Sequence, residues 1–501
     1  MELKEYTIAE LQSMMNTGEM TSRDLAQLYL ERIEAVDKNG PRINSIIETN
    51  PDALAIASSL DDERRNGKTR GPLHGIPILI KDNIGTHDRM QTTAGSLALE
   101  GHIPPLDAFI VRKLRSAGAI ILGKTNLSEW ANFRGKRSIS GWSSRGGLTR
   151  NPYALDRSAC GSSSGSAVAA AANLCPAAIG TETDGSIICP SQTNSIVGIK
   201  PTLGLWSRSG IIPIAHSQDT AGPMARTVAD TAILLGALTG VDARDPATRP
   251  SGKQALRDYT QFLDKNGLNG ARIGVPRKMI GTDKRIIRIF ESCLDVMKQK
   301  GAVIVDPANM SNFKKFGTTE LEVLHFEFKA DLNKYLAETK ARVKTLAEII
   351  EFNQKNRERV MPYFGQEHME IAQKKDSLQD KKYRDALARN HRLARKEGID
   401  ATMRKYKLDA IAVPSGGPSW PIDLVNGDAS NWDMDCTRPP AVAGYPHVTV
   451  PAGYIFGLPV GISFFAKAWQ EPTLVRLAYA FEQATRVRKP PEFLPTVKLA
   501  I

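Results

Sequence analysis

Two serine-bearing turns, at Ser162 and Ser186, lie 24 residues apart on either side of an alanine-rich segment. A serine hydroxyl becomes an effective nucleophile only when a neighbouring base removes its proton as it attacks. Lys81 is the candidate base: an exposed lysine, with a pKa of about 10.4, stays protonated, whereas a buried lysine loses its proton more readily. The three side chains together predict an active site.

The segment between the two serines predicts a helix followed by a strand. Residues 167–174 are strongly helix-forming, follow a stretch of capping serines and stop at Pro176. Residues 177–181 predict a short buried strand. A helix of about nine residues covers about 14 Å and a strand of about five residues about 16 Å. The turn at Ser186 can therefore return beside the turn at Ser162.

A second strand is predicted upstream, where the apolar run from Ile76 to Ile80 ends abruptly on Lys81 and Asp82. In open α/β sheets, functional groups gather just beyond the carboxyl ends of the strands. Lys81 stands at that position, so we expect it to be partly buried at the sheet edge.

Several motifs resemble those of the amidase signature family, and most closely its bacterial peptide amidase branch. The resemblance covers most of the chain from about residue 65 onward, and a further similarity lies at residues 325–332. The matching segments are GPLHGIPILIKDN (71–83), GKTNLSEWANF (123–133), GSSSGSAVA (161–169), TETDGSI (181–187), SQDTAGPMA (217–225), AGYPHVTVPAG (443–453) and LPVGISF (458–464).

This resemblance implies an α/β fold, the amidase signature fold, in which a central mixed β-sheet is covered by helices on both faces. It also implies a catalytic triad of Ser186 as nucleophile, Ser162 as proton relay and Lys81 as base. The peptide bond between Gly161 and Ser162 is expected to be cis, and no cofactor or metal is expected.

The turn formed by Thr183, Asp184, Gly185 and Ser186 is the predicted oxyanion hole. Successive backbone N–H groups of such a turn can point at one oxygen atom. The commoner family pattern has two glycines before the nucleophile and an arginine two residues after it, whereas this chain has Asp184, Gly185 and then Ile188. Asp184 is alternatively a residue that orients the substrate amide.

Two competing motifs are present, and both lack the structural context that they need. Residues 118–125 satisfy the phosphate-loop pattern, but its middle residues predict an apolar strand where a polar loop is required. Residues 161–165 satisfy the nucleophile-elbow pattern with Ser163 as nucleophile, but the preceding residues 154–160 are turn-like where a buried strand is required. Neither motif is expected to be functional.

Histidine and cysteine do not predict a metal site, because none of the five cysteines is spaced with histidines as zinc requires. We expect His74, His216 and His447 to be structural. Cys160, Cys175 and Cys189 lie near the proposed site beside small or apolar residues, so we expect them to be packing residues. The odd number of cysteines favours a reducing compartment, hence a cytoplasmic location, although a removed leader is compatible with the sequence.

The domain organisation is predicted from the distribution of motifs and charge. Residues 1–65 predict an N-terminal helical segment packed on the outside of the core, and residues 66–250 contain the catalytic motifs. Residues 251–407 are rich in charge and in helix formers, which indicates a helical insertion or cap. Residues 408–501 are expected to complete the amidase core.

The formal net charge of +12 does not by itself indicate nucleic acid or a membrane. The basic residues are interleaved with Glu and Asp along predicted helices, as on a solvated helical face, and no run of 18 apolar residues occurs. We therefore expect a soluble monomer or weak homo-oligomer whose partner is a small-molecule or peptide amide.

The predicted function is cofactor-independent hydrolysis of carboxamides, in which ammonia leaves and water hydrolyses an acyl-enzyme. The resemblance favours the C-terminal amide of peptides. The cleft is expected between the sheet edge and the helical cap, with Trp142 and Trp130 as substrate contacts. Two alternatives stay open: the glutaminase (A) subunit of a tRNA-dependent amidotransferase, and a non-catalytic binding protein that retains the fold.

Overall fold

The computed structural model describes residues 3–430 and 436–498. Eleven of the strands in these residues form one mixed sheet in the order β1-β3-β2-β6-β8-β7-β12-β13-β11-β9-β10, and β4 pairs with β5 as a small hairpin. The strands are β1 Ile46–Thr49, β2 Pro77–Lys81, β3 Ile120–Thr125, β4 Trp142–Ser143, β5 Gly147–Leu148, β6 Ala177–Glu182, β7 Val197–Lys200, β8 Thr220–Ala225, β9 Arg272–Gly274, β10 Val303–Val305, β11 Ala410–Pro414, β12 His447–Ile455 and β13 Leu458–Phe465.

Helices flank this sheet, and π-helical turns extend two of them at Ile33–Asn39 and Arg392–Ile399. The α-helices are α1 Ile8–Thr17, α2 Ser22–Arg32, α3 Ala53–Arg65, α4 Phe109–Ser116, α5 Ser164–Ala171, α6 Ile188–Thr193, α7 Val228–Ala237, α8 Ser251–Gln254, α9 Lys284–Gln299, α10 Gly317–Glu338, α11 Leu346–Lys355, α12 Arg357–Val360, α13 Glu367–Gln373, α14 Lys381–His391, α15 Asp400–Tyr406, α16 Arg438–Ala443 and α17 Glu471–Thr485.

The sheet combines parallel and antiparallel pairs, which confirms the predicted α/β class with a mixed sheet. Strand β2 is parallel to both β3 and β6, whereas β6, β8, β7, β12 and β13 follow one another in antiparallel order. The carboxyl ends of β3, β2 and β6 therefore meet at one edge of the sheet. Lys81 is the last residue of β2 and lies at that edge.

Helix α5 and the following strand β6 are the helix and strand that the sequence predicts between Ser162 and Ser186, although their ends differ from the predicted ones. The helix begins at Ser164 and ends at Ala171, before the predicted end at residue 174, because Asn173 takes a left-handed conformation with φ of 57°. All eight residues of α5 are buried, and Gly165 has no space for a side chain. A Cβ there would lie 2.5 Å from the Asn126 carbonyl oxygen. The small residues of α5 thus let it lie directly on the backbone of its neighbours.

Both competing motifs fail in the structure, for the reasons that the sequence suggested. Strand β3 runs through Gly123, Lys124 and Thr125, so the phosphate-loop pattern has no loop before a helix. The Lys124 ammonium is buried and donates to the Ile84 carbonyl at 2.6 Å. Ser163 follows no strand, since residues 154–160 form only isolated bridges.

Strands occur in two segments that the sequence predicts to be helical. Residues 46–49 form β1, which pairs with β3 at the edge of the sheet, and α1 and α2 contribute apolar residues to the main core. Residues 272–274 and 303–305 form β9 and β10 at the opposite edge. These strands are short and lie between charged helices, so composition alone conceals them. The boundaries at residues 65, 250 and 407 stay a prediction.

The longest helix in residues 251–407, the segment predicted to be an insertion and called the insertion below, is α10, which packs against α13 and α14. Together with α11 it forms a separate apolar cluster beside residues 94–99 and 212–215 of the core. Within residues 3–430 and 436–498, no helix has both the length and the apolar character to cross a bilayer.

Candidate active site

The Lys81 side chain is completely buried and ends among hydroxyl and carbonyl oxygens. Its Nζ atom lies 2.7 Å from Ser162 Oγ and 3.0 Å from Ser163 Oγ. It also lies 2.9 Å from Thr181 Oγ1 and 3.2 Å from the Thr181 carbonyl oxygen. Strand β2 supplies the lysine and parallel β6 supplies Thr181, so the sheet itself fixes this arrangement.

Burial determines the charge of this lysine. It lowers the pKa of Lys81 to about 7, because an ammonium ion inside the protein has lost its hydration. The carboxylates of Asp219 and Glu182 act in the opposite direction and hold the pKa up. A substantial fraction of the amine is therefore neutral at neutral pH and able to accept a proton from the adjacent Ser162 hydroxyl.

The turn that carries Ser162 is tightly packed. The peptide bond between Gly161 and Ser162 is cis, as the resemblance implied. The Ser128 N–H donates to the Ser162 carbonyl at 3.1 Å, and a Cβ on Gly161 would lie 2.2 Å from Ser128 Oγ. A side chain at position 161 would therefore have to displace the Ser128 hydroxyl, which accepts the Gly141 N–H at 2.9 Å.

Ser163 differs from Ser162 in that its hydroxyl also makes two hydrogen bonds with the backbone of Thr181. Its Oγ donates to the Thr181 carbonyl at 2.9 Å and accepts from the Thr181 N–H at 3.1 Å. The side chain is fully buried. This supports the inference that Ser163 is not an elbow nucleophile.

Ser186 returns beside the first serine turn. Its carbonyl accepts the Ser163 N–H at 3.2 Å, which joins the two turns directly. The buried Glu182 carboxylate accepts the N–H groups of Ile187 at 2.7 Å and Ile188 at 3.0 Å, so the chain is bent tightly around Ser186. In residues 3–430 and 436–498, the Ser186 hydroxyl makes no hydrogen bond within 3.5 Å, which leaves it available to a substrate.

The predicted oxyanion turn has its donors available. Within the described parts of the chain, the N–H groups of Thr183, Asp184, Gly185 and Ser186 have no hydrogen-bond acceptor. Gly185 has φ of +79°, a left-handed conformation that glycine adopts without strain. Free N–H groups on consecutive residues are what a developing oxyanion requires.

Two residues of the loop before β8 hold this turn in place. The Asp219 carboxylate accepts the Thr183 hydroxyl at 2.5 Å, and Gln218 Nε2 donates to the Thr183 carbonyl at 3.1 Å. Burial raises the pKa of Asp219 to about 6. Both residues lie in the SQDTAGPMA motif, but residue type and spacing alone indicated no role for them.

Asp184 projects from the oxyanion turn toward a charged cluster. Its Oδ2 lies 3.8 Å from Arg438 Nε, and the same guanidinium donates to the buried Glu320 carboxylate at 2.7 Å. Burial and the nearby Asp184 charge raise the pKa of Glu320. Glu320 and Arg438 lie outside the motifs recognised in the sequence, and they come close to this turn only in the folded chain.

The predicted substrate contacts are buried in the free protein. Trp130 packs among apolar residues of the core and insertion. Trp142 lies under the Arg134 guanidinium at 5.1 Å from its ring centroid and edge-on to Phe364 at 5.4 Å. A cavity of about 390 Å³ lies next to Phe364, between residues 354 and 370, and none of the three candidate catalytic residues lines it. The roles of both tryptophans stay predictions.

The prediction that Cys160 and Cys189 are packing residues is wrong, because the two form a disulfide bond. Their Cα atoms lie 6.0 Å apart, although 29 residues separate them in the chain. The bond joins the Ser162 turn to α6, which follows Ser186. The 29-residue spacing of the two cysteines did not indicate a disulfide, since the folding of α5 against β6 brings them together. Cys175 is a buried thiol, as expected.

None of the Lys81 hydrogen bonds in residues 3–430 and 436–498 involves the histidines that were expected to be structural. His74 Nε2 contacts the Leu60 carbonyl at 2.9 Å, and the His447 ring is buried between strands. His216 contacts Asp331 and Glu327, and these three form the group of possible metal ligands found in residues 3–430 and 436–498. Contacts from the ring to both carboxylates account for this cluster, and the absence of a metal stays a prediction.

The fold and the site together define a hydrolase of the amidase signature type. The sequence model of the amidase family matches residues 24–475. The chain therefore belongs to the amidase family and is an amidase, a hydrolase of linear amides.

Known relatives cover nearly the whole chain. The native peptide amidase from Stenotrophomonas maltophilia has a solved structure that is 51% identical, with a TM-score of 0.94, and the match covers 98% of this chain and 99% of that one. An amidase family protein from Bacillus anthracis is 38% identical, with a TM-score of 0.87, over 97% of this chain and 92% of that one. A glutamyl-tRNA(Gln) amidotransferase subunit from Chloroflexus aurantiacus is 34% identical over 97% of both chains.

Removal of the disulfide should destabilise the protein. We expect Cys160→Ser, and equally the double variant with Cys189→Ser, to lower the free energy of unfolding by roughly 3 to 4 kcal/mol, because the bond closes a loop of this length. Urea denaturation with and without reductant measures the effect, and Cys293→Ser should respond to reductant as the wild type does. Alkylation of Cys160 and Cys189 in unreduced, denatured protein would contradict the pairing.

Proposed function

We propose that the protein hydrolyses the C-terminal carboxamide of peptides through Ser186, Ser162 and Lys81. The contact of 2.7 Å between the fully buried Lys81 amine and the Ser162 hydroxyl carries this proposal. The similarity to the peptide amidase from Stenotrophomonas maltophilia supports the choice of substrate.

The proposed reaction begins with two proton transfers. The neutral Lys81 amine takes the Ser162 proton, and Ser162 takes the Ser186 proton, while Ser186 Oγ forms a bond to the amide carbon. The carbonyl electron pair moves onto oxygen, where the N–H groups of residues 183–186 stabilise it. Proton relay through a second hydroxyl lets a lysine that does not touch the nucleophile act as its base.

Collapse of this intermediate breaks the carbon–nitrogen bond. Lys81 returns its proton to Ser162, and Ser162 passes its own to the leaving nitrogen, so that ammonia departs and the acyl group stays on Ser186. Water then attacks the ester and gives up a proton along the same path. Ser186 regains its proton, and the peptide acid is released.

The panel of substrates that tests the proposal contains amidated peptides, the matching peptide acids, free glutamine, and simple aryl and fatty amides. We expect ammonia from the amidated peptides at the highest kcat/KM and none from the peptide acids. Ammonia release from glutamine that depends on added partner chains would instead favour the amidotransferase alternative. Turnover of simple amides alone would overturn the peptide substrate while leaving the amidase assignment intact.

Substitution of the proposed nucleophile, Ser186, or of the proposed base, Lys81, should strongly slow acylation of the enzyme. We expect Ser186→Ala to lose labelling by a fluorophosphonate probe and to lower kcat by roughly 10⁴-fold or more, as loss of a serine nucleophile does. Lys81→Met, which keeps the length of the side chain, should lower kcat to a similar extent without removing the nucleophile.

Ser163→Ala is the matched control, because it removes a hydroxyl from the same turn at a similar distance from Lys81. It should keep probe labelling at Ser186, identified by mass spectrometry of the labelled peptide. Labelling that disappears in Ser163→Ala and persists in Ser186→Ala would overturn the assignment.

The pH dependence of kcat/KM should report the Lys81 amine. Only the neutral amine accepts a proton, so activity should rise with pH through a midpoint near the lowered pKa of about 7 and level off above it. Asp219→Asn tests the assignment, because the Asp219 carboxylate holds the pKa of Lys81 up and its removal should move the midpoint to lower pH. A midpoint that stays in place or rises in this variant would show that another group is titrating.

A further inference from the structure

Helix α10 of the insertion presents three carboxylates on one face. Glu320, Glu327 and Asp331 are spaced by seven and four residues, which brings them to nearly the same side of an α-helix. The Glu327 side chain is fully buried and that of Glu320 is 5% exposed. Burial of a carboxylate is costly unless hydrogen bonds compensate it, so these groups need specific partners.

Their partners are three successive residues of one loop. Gln218 Nε2 donates to Glu320 Oε1 at 3.0 Å, and the Ser217 N–H donates to Glu327 Oε2 at 2.9 Å. Two buried carboxylates of α10 therefore accept hydrogen bonds from Ser217 and Gln218, neighbouring residues of the loop before β8.

The third carboxylate completes the contact at the next residue. The His216 N–H donates to Asp331 Oδ2 at 2.9 Å, and His216 Nδ1 lies 2.8 Å from the same oxygen. Burial of the ring opposes its charge, but the hydrogen bond to Asp331 and the charge of Glu327 outweigh it and raise the pKa of His216. The Tyr383 hydroxyl donates to Glu327 Oε1 at 2.7 Å, which fixes that carboxylate on the insertion side.

The loop held in this way is the one that fixes the oxyanion turn. Gln218 uses the same amide nitrogen to donate to the Thr183 carbonyl, and Asp219 accepts the Thr183 hydroxyl. Glu320 also accepts from Arg438, whose guanidinium lies 3.8 Å from Asp184. Glu320 is therefore linked to Thr183 through Gln218 and to Asp184 through Arg438.

We infer that helix α10 is a positioning element for catalysis: Glu320, Glu327 and Asp331 hold residues 216–218 so that the N–H groups of residues 183–186 point at the oxyanion. The inference rests on the proposed function of that turn. None of the three carboxylates touches the reacting atoms, so each acts through the loop or through Arg438.

Another acidic residue of the same helix provides a matched control. Glu322 is partly exposed and pairs with Lys375 at 2.6 Å, inside the insertion. Its ion pair does not reach the loop at residues 216–218. A substitution at Glu322 removes the same charge from the same helix without affecting the proposed path.

The experiment compares Glu320→Ala, Glu327→Ala and Glu322→Ala in the full-length protein. We expect the first two variants to lower kcat for an amidated peptide by roughly tenfold with KM changed less than about twofold, because displaced donors weaken binding of the oxyanion more than of the substrate. Glu322→Ala should match the wild type in both constants.

Hydrogen exchange supplies a readout that does not depend on activity. The N–H groups of Ile187, Ile188 and Cys189 are protected by bonds that close the turn around Ser186. Their exchange should be faster in Glu320→Ala and Glu327→Ala than in Glu322→Ala. If either alanine variant fails to fold, Glu320→Gln takes its place, since it keeps the shape and removes the charge that faces Arg438.

The outcomes separate the two proposals. Wild-type kcat and unchanged exchange in the Glu320 and Glu327 variants would overturn the role of α10 and leave the proposed function standing. A wild-type protein that releases no ammonia from any amide would overturn the proposed function, and the exchange of residues 187–189 would still decide whether α10 holds the turn. A uniform loss of activity in all three variants would also contradict the inference.

Discussion

The chemistry of the site depends on one desolvated amine. Lys81 lies at the carboxyl end of β2, where the sheet and α5 exclude water, and that exclusion lowers its pKa to about 7. Burial alone would leave the amine neutral but weakly basic. The carboxylates of Asp219 and Glu182 moderate the shift, and the same two residues also hold the turn around Ser186. The same pair of acids thus affects the pKa of Lys81 and holds the turn that carries Ser186.

The parts of the site that follow from local sequence were predictable. The apolar run of β2 and the small residues of α5 and β6 each favour one element, so the strand, the helix and the return strand appear with ends shifted by a few residues. Lys81, Ser162 and Ser186 stand at the ends of these elements, and their places follow from them.

The contacts that the sequence did not reveal join segments far apart in the chain. Strands β1, β9 and β10 are only three or four residues long and gain their stability from pairing with neighbours, which composition does not show. The disulfide and the hydrogen bond between Gln218 and Glu320 form only in the folded chain, because their partners are 29 and 102 residues apart in the sequence. Local propensity places Lys81, Ser162 and Ser186, and long-range polar contacts hold the segments around them.

Asp184 raises an electrostatic problem that its surroundings answer. A carboxylate next to the N–H groups of an oxyanion turn repels the charge that develops there, and two unit charges a few ångströms apart interact by several kcal/mol in a partly buried site. Arg438 lies beside both Asp184 and Glu320, so its positive charge offsets part of the negative charge of the two acids. Arg438, the first residue of α16, supplies a positive charge beside Asp184, where the commoner family pattern has an uncharged glycine. Asp184, Arg438 and Glu320 therefore form one charged cluster that joins helix α10 to the turn at Ser186.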